Sequence, residues 1–138
     1  MQLSLTVSNL YPMFLAALCT WREAQNQSTE TQRGVIWTIK NRASVAAWWN
    51  HNKANDPVAV ILMPEQYSSF NHNDPNATKF PSSTDAVFQA IKLLVIDPGE
   101  DPTGGATHYF DKSLDGNPPG WAAEMQHVCD IGAMRFYK

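Results

Sequence analysis

"TWREAQNQSTETQRGVIWTIKNR", residues 20–42, decides the fold. Its two ends read as helix and its middle does not. Just upstream and into it, Phe14, Leu15, Leu18 and Cys19 recur at helical spacing, and Ala16 and Ala17 favour helix, which predicts a helix over about residues 12–25. "NQS" at 26–28 breaks that helix. Thr29 followed by Gln32 has capping-box spacing and opens a second helix through Val35, Ile36 and Ile39 to about Arg42. From Met1 to Trp21 there is no Asp, Glu, Lys or Arg; Arg22 and Glu23 then arrive together at the first helix end. A carboxylate in that place is either a solvated helix terminus or an acid held in an apolar cleft for proton transfer.

Outward from this stretch, 138 residues are expected to form one domain spanning 1–138, long enough to bury a real core. Hydrophobic content of 43% with only 17% charged residues argues against disorder. A net charge of -3, with no Lys/Arg-rich block, gives no reason to expect nucleic acid as a partner. Of five Trp, four Tyr and six Phe, many belong to the core and some are candidates to line a groove, where flat apolar faces stack on sugar rings. Cys19 and Cys129 are read as buried free thiols. The uncharged N-terminus lacks a basic region, carries Gln2, Ser4, Thr6, Ser8 and Asn9, and is read as broken at Pro12, so a soluble protein without an export signal is expected. No run reaches the roughly 20 apolar residues of a membrane span, and no stable membrane association is expected.

Downstream, "ASVAAWWNHN" extends or follows the second helix before a polar loop, and Asp56-Pro57 caps a short apolar helix through Leu62. Residues 63–83, with "EQYSSFNHNDPNATKFPSS", form an irregular excursion of the sort that usually serves function. Ser83, Thr84 and Asp85 start the clearest helix, which carries Val87, Ile91, Leu94 and Val95 on one face and ends at "DPGEDPTGG". "ATHYF" is a short strand candidate, "WAAEMQHV" a helical turn or two, and "CDIGAMRFYK" a strand or extended segment. The sum is an α+β chain, mostly helical, with one or two short hairpin-like strands.

Glu23 is the residue whose surroundings favour chemistry. The C-terminal end of a helix disfavours an anion, and aromatic neighbours would desolvate it, so both effects raise its pKa. A carboxyl protonated near neutral pH is what glycosidic cleavage needs, because the leaving oxygen must gain a proton. No spacing forces a second carboxylate beside it; Glu30, Glu65 and Asp74 are the ones within reach, and a single-acid mechanism stays open. His51, His72, His108 and His127 lack metal-ligand spacing, "SSFNHNDPN" lacks the alternation and closing Glu of a calcium loop, and Gly104-Gly105 lacks the Lys-Ser/Thr of a phosphate loop. No metal or cofactor is expected.

Taken in order, "WREAQNQSTETQRGVIWTIKNR", "PEQYSSFNHNDPN", "GGATHYFD", "PPGWA" and "IGAMRFYK" resemble the successive motifs of the SleB-type cell wall hydrolases, which include spore cortex-lytic enzymes and many phage-encoded relatives. The resemblance runs from Thr20 to Lys138. It implies a lysozyme-like α+β fold and cleavage of the peptidoglycan glycan strand. It maps the family's catalytic Glu onto Glu23, its Asn-Arg pair onto Asn41 and Arg42 as supports of the site, and its Gln-aromatic-Ser motif onto Gln66, Tyr67 and Ser68 as sugar contacts. Thr107, His108 and Tyr109 come from its aromatic motif, with His108 either orienting substrate or satisfying a buried hydrogen bond; Trp121 either stacks on a sugar or packs in the core. Two departures stand out: Gln25-Asn26 replaces the usual Arg-Gly, and Met134 stands where a His usually precedes Phe-Tyr.

The resemblance therefore implies a monomeric glycosidase acting on bacterial peptidoglycan at the β-1,4 bond between N-acetylmuramic acid and N-acetylglucosamine. Lytic transglycosylation is expected, with lysozyme-type hydrolysis or a catalytically weak wall-binding virion protein as alternatives. Synthesis in the host cytoplasm without a signal, as for a phage endolysin acting after membrane permeabilisation, is the expected setting, with a virion-borne lysin as the second.

Overall fold

The computed structural model of the chain describes residues 7–64 and 66–138. The expectations placed on residues 1–6 and on Glu65 lie outside the described residues. Helix α1 (Val7–Ala24) occupies the centre and packs against α2 (Thr29–Ala43), α3 (Pro57–Leu62) and α4 (Ala86–Ile96). Its residues from Leu15 to Thr20 are all buried, and the small Ala16 and Ala17 let neighbouring helices approach. One apolar cluster joins Leu15 and Cys19 to Ile39, Val60, Ile61 and Tyr67; another joins Leu18 and Trp21 to Phe88 and Ile91.

Pro12 lies inside α1 rather than breaking it. An interior proline costs a helix about 3 kcal/mol, whereas each large side chain buried from water returns about 1.5–3 kcal/mol. With Leu15 and Leu18 both buried just beyond it, packing outweighs the local penalty.

The caps follow side-chain chemistry closely. The Asp56 carboxylate accepts from Ala59 N at 3.0 Å to open α3, and that of Asp85 accepts from Phe88 N at 2.8 Å to open α4. At α2 the cap is Ser28, whose hydroxyl accepts from Thr31 N at 3.2 Å, not Thr29. Gln32 serves a different end: its side-chain amide donates to Ala24 O, the last carbonyl of α1, at 3.1 Å and to Gln27 O in the following turn at 3.3 Å, tying α2 to the end of α1.

Three strands form one antiparallel sheet in the order β1 (His108–Asp111), β3 (Met134–Tyr137), β2 (His127–Ile131). That is one strand more than the sequence reading allowed, because "CDIGAMRFYK", read as a single strand or extended segment, turns back at Gly132 and supplies most of β2 as well as β3. The register sets Tyr109 opposite Phe136 and Asp111 opposite Met134. Neither cysteine is bridged; Cys19 is buried as expected, while Cys129 is half-buried. No described helix is long and apolar enough to cross a membrane.

Helix α2 meets the sheet at Gly34. A Cβ there would lie 2.7 Å from Cζ of Phe136, a ring fully buried in the core of the sheet. Gly34→Ala is expected to lower stability by about 1–2 kcal/mol, the cost of overpacking exceeding alanine's helical advantage of about 1 kcal/mol. A urea midpoint measures this; an unchanged midpoint would mean that Phe136 can step aside.

Candidate active site

α1 ends one residue after Glu23 and so delivers that carboxyl to a cleft of about 390 Å³. Tyr67 and Tyr109 give it aromatic wall, Arg42 and Gln66 add polar wall, and Ser68 and Trp121 also line it. The excursion of residues 63–83 thus reaches the cleft through Gln66, Tyr67 and Ser68. Phe110, Asp111, Leu114, Pro119 and Met134 complete the lining.

Glu23 is half-buried, and its pKa is raised to about 7 from an ordinary 4.5. Burial is the largest cause, followed by the negative charge of Asp74; the Tyr109 hydroxyl, donating to the carboxylate, pulls the other way. Asp74 is one of the three carboxylates within sequence reach, and its charge acts on Glu23 from the excursion loop. The desolvating aromatics are not Glu23's sequence neighbours. Trp21 turns away to meet Phe88 edge-on at 6.5 Å between ring centroids. Tyr67 and Tyr109 surround the acid instead.

Removing the Tyr109 hydroxyl should raise the Glu23 pKa further, since that bond favours the ionised form. Tyr109→Phe is therefore expected to move the alkaline limb of the pH–activity profile upward, by about half a unit. A limb that stays in place or moves down would show that the hydroxyl does not engage the acid.

Arg42, part of the wall itself, and Asn41, behind it, hold the surrounding loops in place. The buried Arg42 guanidinium donates from Nε to Thr107 O and from Nη1 to Gln66 Oε1 at 3.1 Å, and lies over the rings of Tyr67 and Trp49 at 5.5 and 5.7 Å. It ties β1 to the excursion. Asn41 Nδ2 donates to Asp101 Oδ2 and to Ala106 O, both at 2.9 Å, anchoring the loop that leads into β1. The amide and hydroxyl of Thr103, the amide of Gly105 and Asn41 all donate to the Asp101 carboxylate, and these bonds outweigh its burial and lower its pKa.

Thr107 and His108 stand away from the lining. His108 is buried, its Nδ1 is 2.9 Å from Thr107 Oγ1, and its ring packs against Trp121 at 4.8 Å and Trp49 at 5.9 Å. Burial, then the Arg42 charge, lowers its pKa to about 4, so it is neutral at physiological pH. Its geometry is that of a buried hydrogen-bonding group. Trp121 belongs to both environments, lining the cleft while packing on His108, Phe110 and Tyr137.

Sequence reasoning missed Phe110, Asp111, Leu114 and Pro119, which no periodicity marks because their places depend on the β1 register and the turns after it. Met134 carried a signal as a departure from the family motif; it lines the cleft opposite Asp111 in the sheet. Among the described residues, no group of His, Cys, Asp and Glu is arranged to hold a metal ion.

Such a cleft presents a carboxyl able to give up or take a proton near neutral pH, walled by aromatic and amide groups suited to sugars. Comparison with known proteins agrees at the level of family: the model of the cell wall hydrolases matches residues 26–137. The chain belongs to the cell wall hydrolase family. The matched span begins just past Glu23 and does not include it. Two solved structures share the fold of this cell wall hydrolase. The catalytic domain of the germination-specific lytic transglycosylase SleB from Bacillus anthracis aligns with a TM-score of 0.73 at 22% identity, covering 98% of this chain and 100% of that one. The catalytic domain of the Bacillus cereus SleB protein aligns at 0.69 with 24% identity, covering 92% and 89%. No curated protein sequence matches the chain. The lysozyme-like α+β fold implied by the sequence is thereby the fold of this hydrolase.

Proposed function

We propose that this cell wall hydrolase cleaves the glycan strand of peptidoglycan, at the β-1,4 bond between N-acetylmuramic acid and N-acetylglucosamine, as a lytic transglycosylase with Glu23 as its catalytic residue. One observation carries the reading: Glu23 faces the cleft with a pKa of about 7. A group poised there serves as acid and then as base within one turnover. Protonated Glu23 gives its proton to the glycosidic oxygen as the C1–O bond breaks. The muramyl 6-hydroxyl then attacks C1, its proton returns to the Glu23 carboxylate, and a 1,6-anhydro end forms without water. Gln66, Tyr67, Ser68, Tyr109 and Trp121 line the path for the sugars; Arg42 braces it from within the wall, and Asn41, Thr107 and His108 from behind.

Hydrolysis by water is the second reading, favoured by Asp111, a further carboxylate lining the same cleft. The two products differ by one water, so mass spectrometry of digested sacculi separates them. Anhydro ends that persist in Asp111→Asn support transglycosylation. Reducing ends that vanish in Asp111→Asn support hydrolysis, and stem peptides cut from intact glycan would overturn both. A single catalytic domain working as a monomeric phage endolysin is the setting we propose, supported by the resemblance to phage-encoded relatives. Lysis of a culture producing the protein only once its inner membrane is permeabilised is the expected result.

A further inference from the structure

Arg22, the residue before the acid, has no part in the proton chemistry, yet it is the most heavily engaged side chain on that end of α1. Its Nε donates to Lys79 O at 3.0 Å, Nη1 to Ser69 O at 3.2 Å and Nη2 to Ala77 O at 3.0 Å. Its guanidinium also lies over two rings of the same loop, 4.7 Å from the Phe70 centroid and 5.0 Å from that of Phe80. All five contacts fall within the excursion.

That excursion has little regular structure of its own to hold it. Its backbone bonds are short-range turns, such as Phe70 N to Tyr67 O, Asp74 N to Asn71 O and Lys79 N to Asn76 O. Such turns set local shape but not where the segment sits on the body. Arg22 reaches the carbonyls of Ser69, Ala77 and Lys79 from one fixed helix terminus, and three separately aimed donors beside two aromatic faces suit a guanidinium as they do not suit an ammonium.

We propose that Arg22 is a positioning residue: by clamping the excursion to the end of α1, it sets the reach of Gln66, Tyr67 and Ser68 into the cleft and the place of Asp74 beside Glu23. Consecutive residues of one helix thus hold the loop and the proton. Asp74 feels both, its charge raising the proton affinity of Glu23 and, as a lesser effect beside burial and Cys19, that of Arg22. The other groups near Glu23 are Tyr109 on β1, which opposes Asp74, Tyr67 and Arg42 in the same cleft wall, and the buried Cys19 one turn back on α1. The proposal rests on the reading of this cleft as the glycan site.

Arg22→Lys keeps the positive charge while losing the fork, so its effect reports on the clamp and not on a missing cation. On soluble glycan strands its KM is expected to rise about tenfold, with kcat at pH 5.5 within about twofold of wild type, the pattern of lost uniform binding. The alkaline limb should move to lower pH by about half a unit, as Asp74 withdraws and Glu23 gains water. Phe80, 65% exposed, can be removed without disturbing the core; Phe80→Ala should shift KM and the limb in the same directions by less. Thermolysin should cut the excursion faster in both variants. A folded Arg22→Lys with wild-type KM, limb and proteolysis overturns the clamp, as does a fall in kcat alone. A wild-type protein that leaves glycan strands whole defeats the reading of the cleft instead, and unaltered proteolysis in the variants would then still overturn the clamp.

Discussion

Glu23→Gln is expected to lower the release of glycan fragments by about 10³-fold or more, because the one group proposed to act as acid and then as base is lost in both roles. Glutamine keeps the size of the side chain, and its carbonyl still accepts from the Tyr109 hydroxyl, so the cleft stays intact. The same substitution should stabilise the protein at alkaline pH. Burial raises the carboxyl from 4.5 to about 7 in the folded chain, so the unfolded chain ionises first as pH climbs. Stability conferred by the neutral carboxyl is complete below about 4.5 and is lost as pH rises to about 7. Above that, the wild type carries a desolvated charge that glutamine lacks. The variant should therefore gain about 2–3 kcal/mol over wild type at pH 8 and much less at pH 5. Thermal denaturation at both pH values, beside mass analysis of digested sacculi, reads the two effects together. Full activity in the variant would end the assignment; inactivity with no alkaline stabilisation would mean that Glu23 is not held in a desolvating site.

A split of that kind, with function set against stability at one residue, marks where local rules of sequence stop predicting. Helix ends were legible where a side chain caps its own backbone: Asp56 and Asp85 do what their positions in the sequence suggest. Thr29 misled because Ser28 offers the same hydroxyl one residue earlier, and nothing local separates the two. Pro12 misled because its cost is local while the burial that overrides it is not. β2 was hidden for a related reason. Its residues alternate poorly and are mostly half-exposed, and the partner that makes them a strand is β3 across a glycine turn at Gly132 with φ +55°. Around the cleft, the helix end gave Glu23 a physical reason for attention, and the family motifs brought Tyr67 and Tyr109 to it. That Asp74 would sharpen its proton affinity could not be read, since a long irregular loop has no pattern from which a contact follows.

Arg42 shows how much of the site depends on a residue outside its chemistry, and its replacement is expected to have the largest structural effect. The guanidinium is 5% exposed, bonded to Thr107 O and Gln66 Oε1 and faced by Tyr67 and Trp49. Arg42→Met preserves most of the volume while taking the charged donor from both oxygens. Each loses a hydrogen bond to a charged group, worth about 1.5–3 kcal/mol when partly buried, and the cation–aromatic contacts are lost as well, so a loss of about 3–4 kcal/mol is expected. At this chain length that lowers the melting temperature by about 10–15 °C. The damage should not be uniform. Thr107 leads into β1 and Gln66 belongs to the excursion, so the variant loosens the two walls of the cleft from each other while α1, α3 and α4 keep their own packing. Amide exchange should accordingly quicken in residues 66–70 and 107–111 before it does in α1. Arg42→Lys keeps the charge but not the fork, and should recover only part of the loss, since one ammonium on a flexible stem cannot hold both oxygens in the same geometry. If lysine restores the melting temperature fully, charge alone is what the cleft requires of this position, and the bracing of β1 against the loop must come from elsewhere.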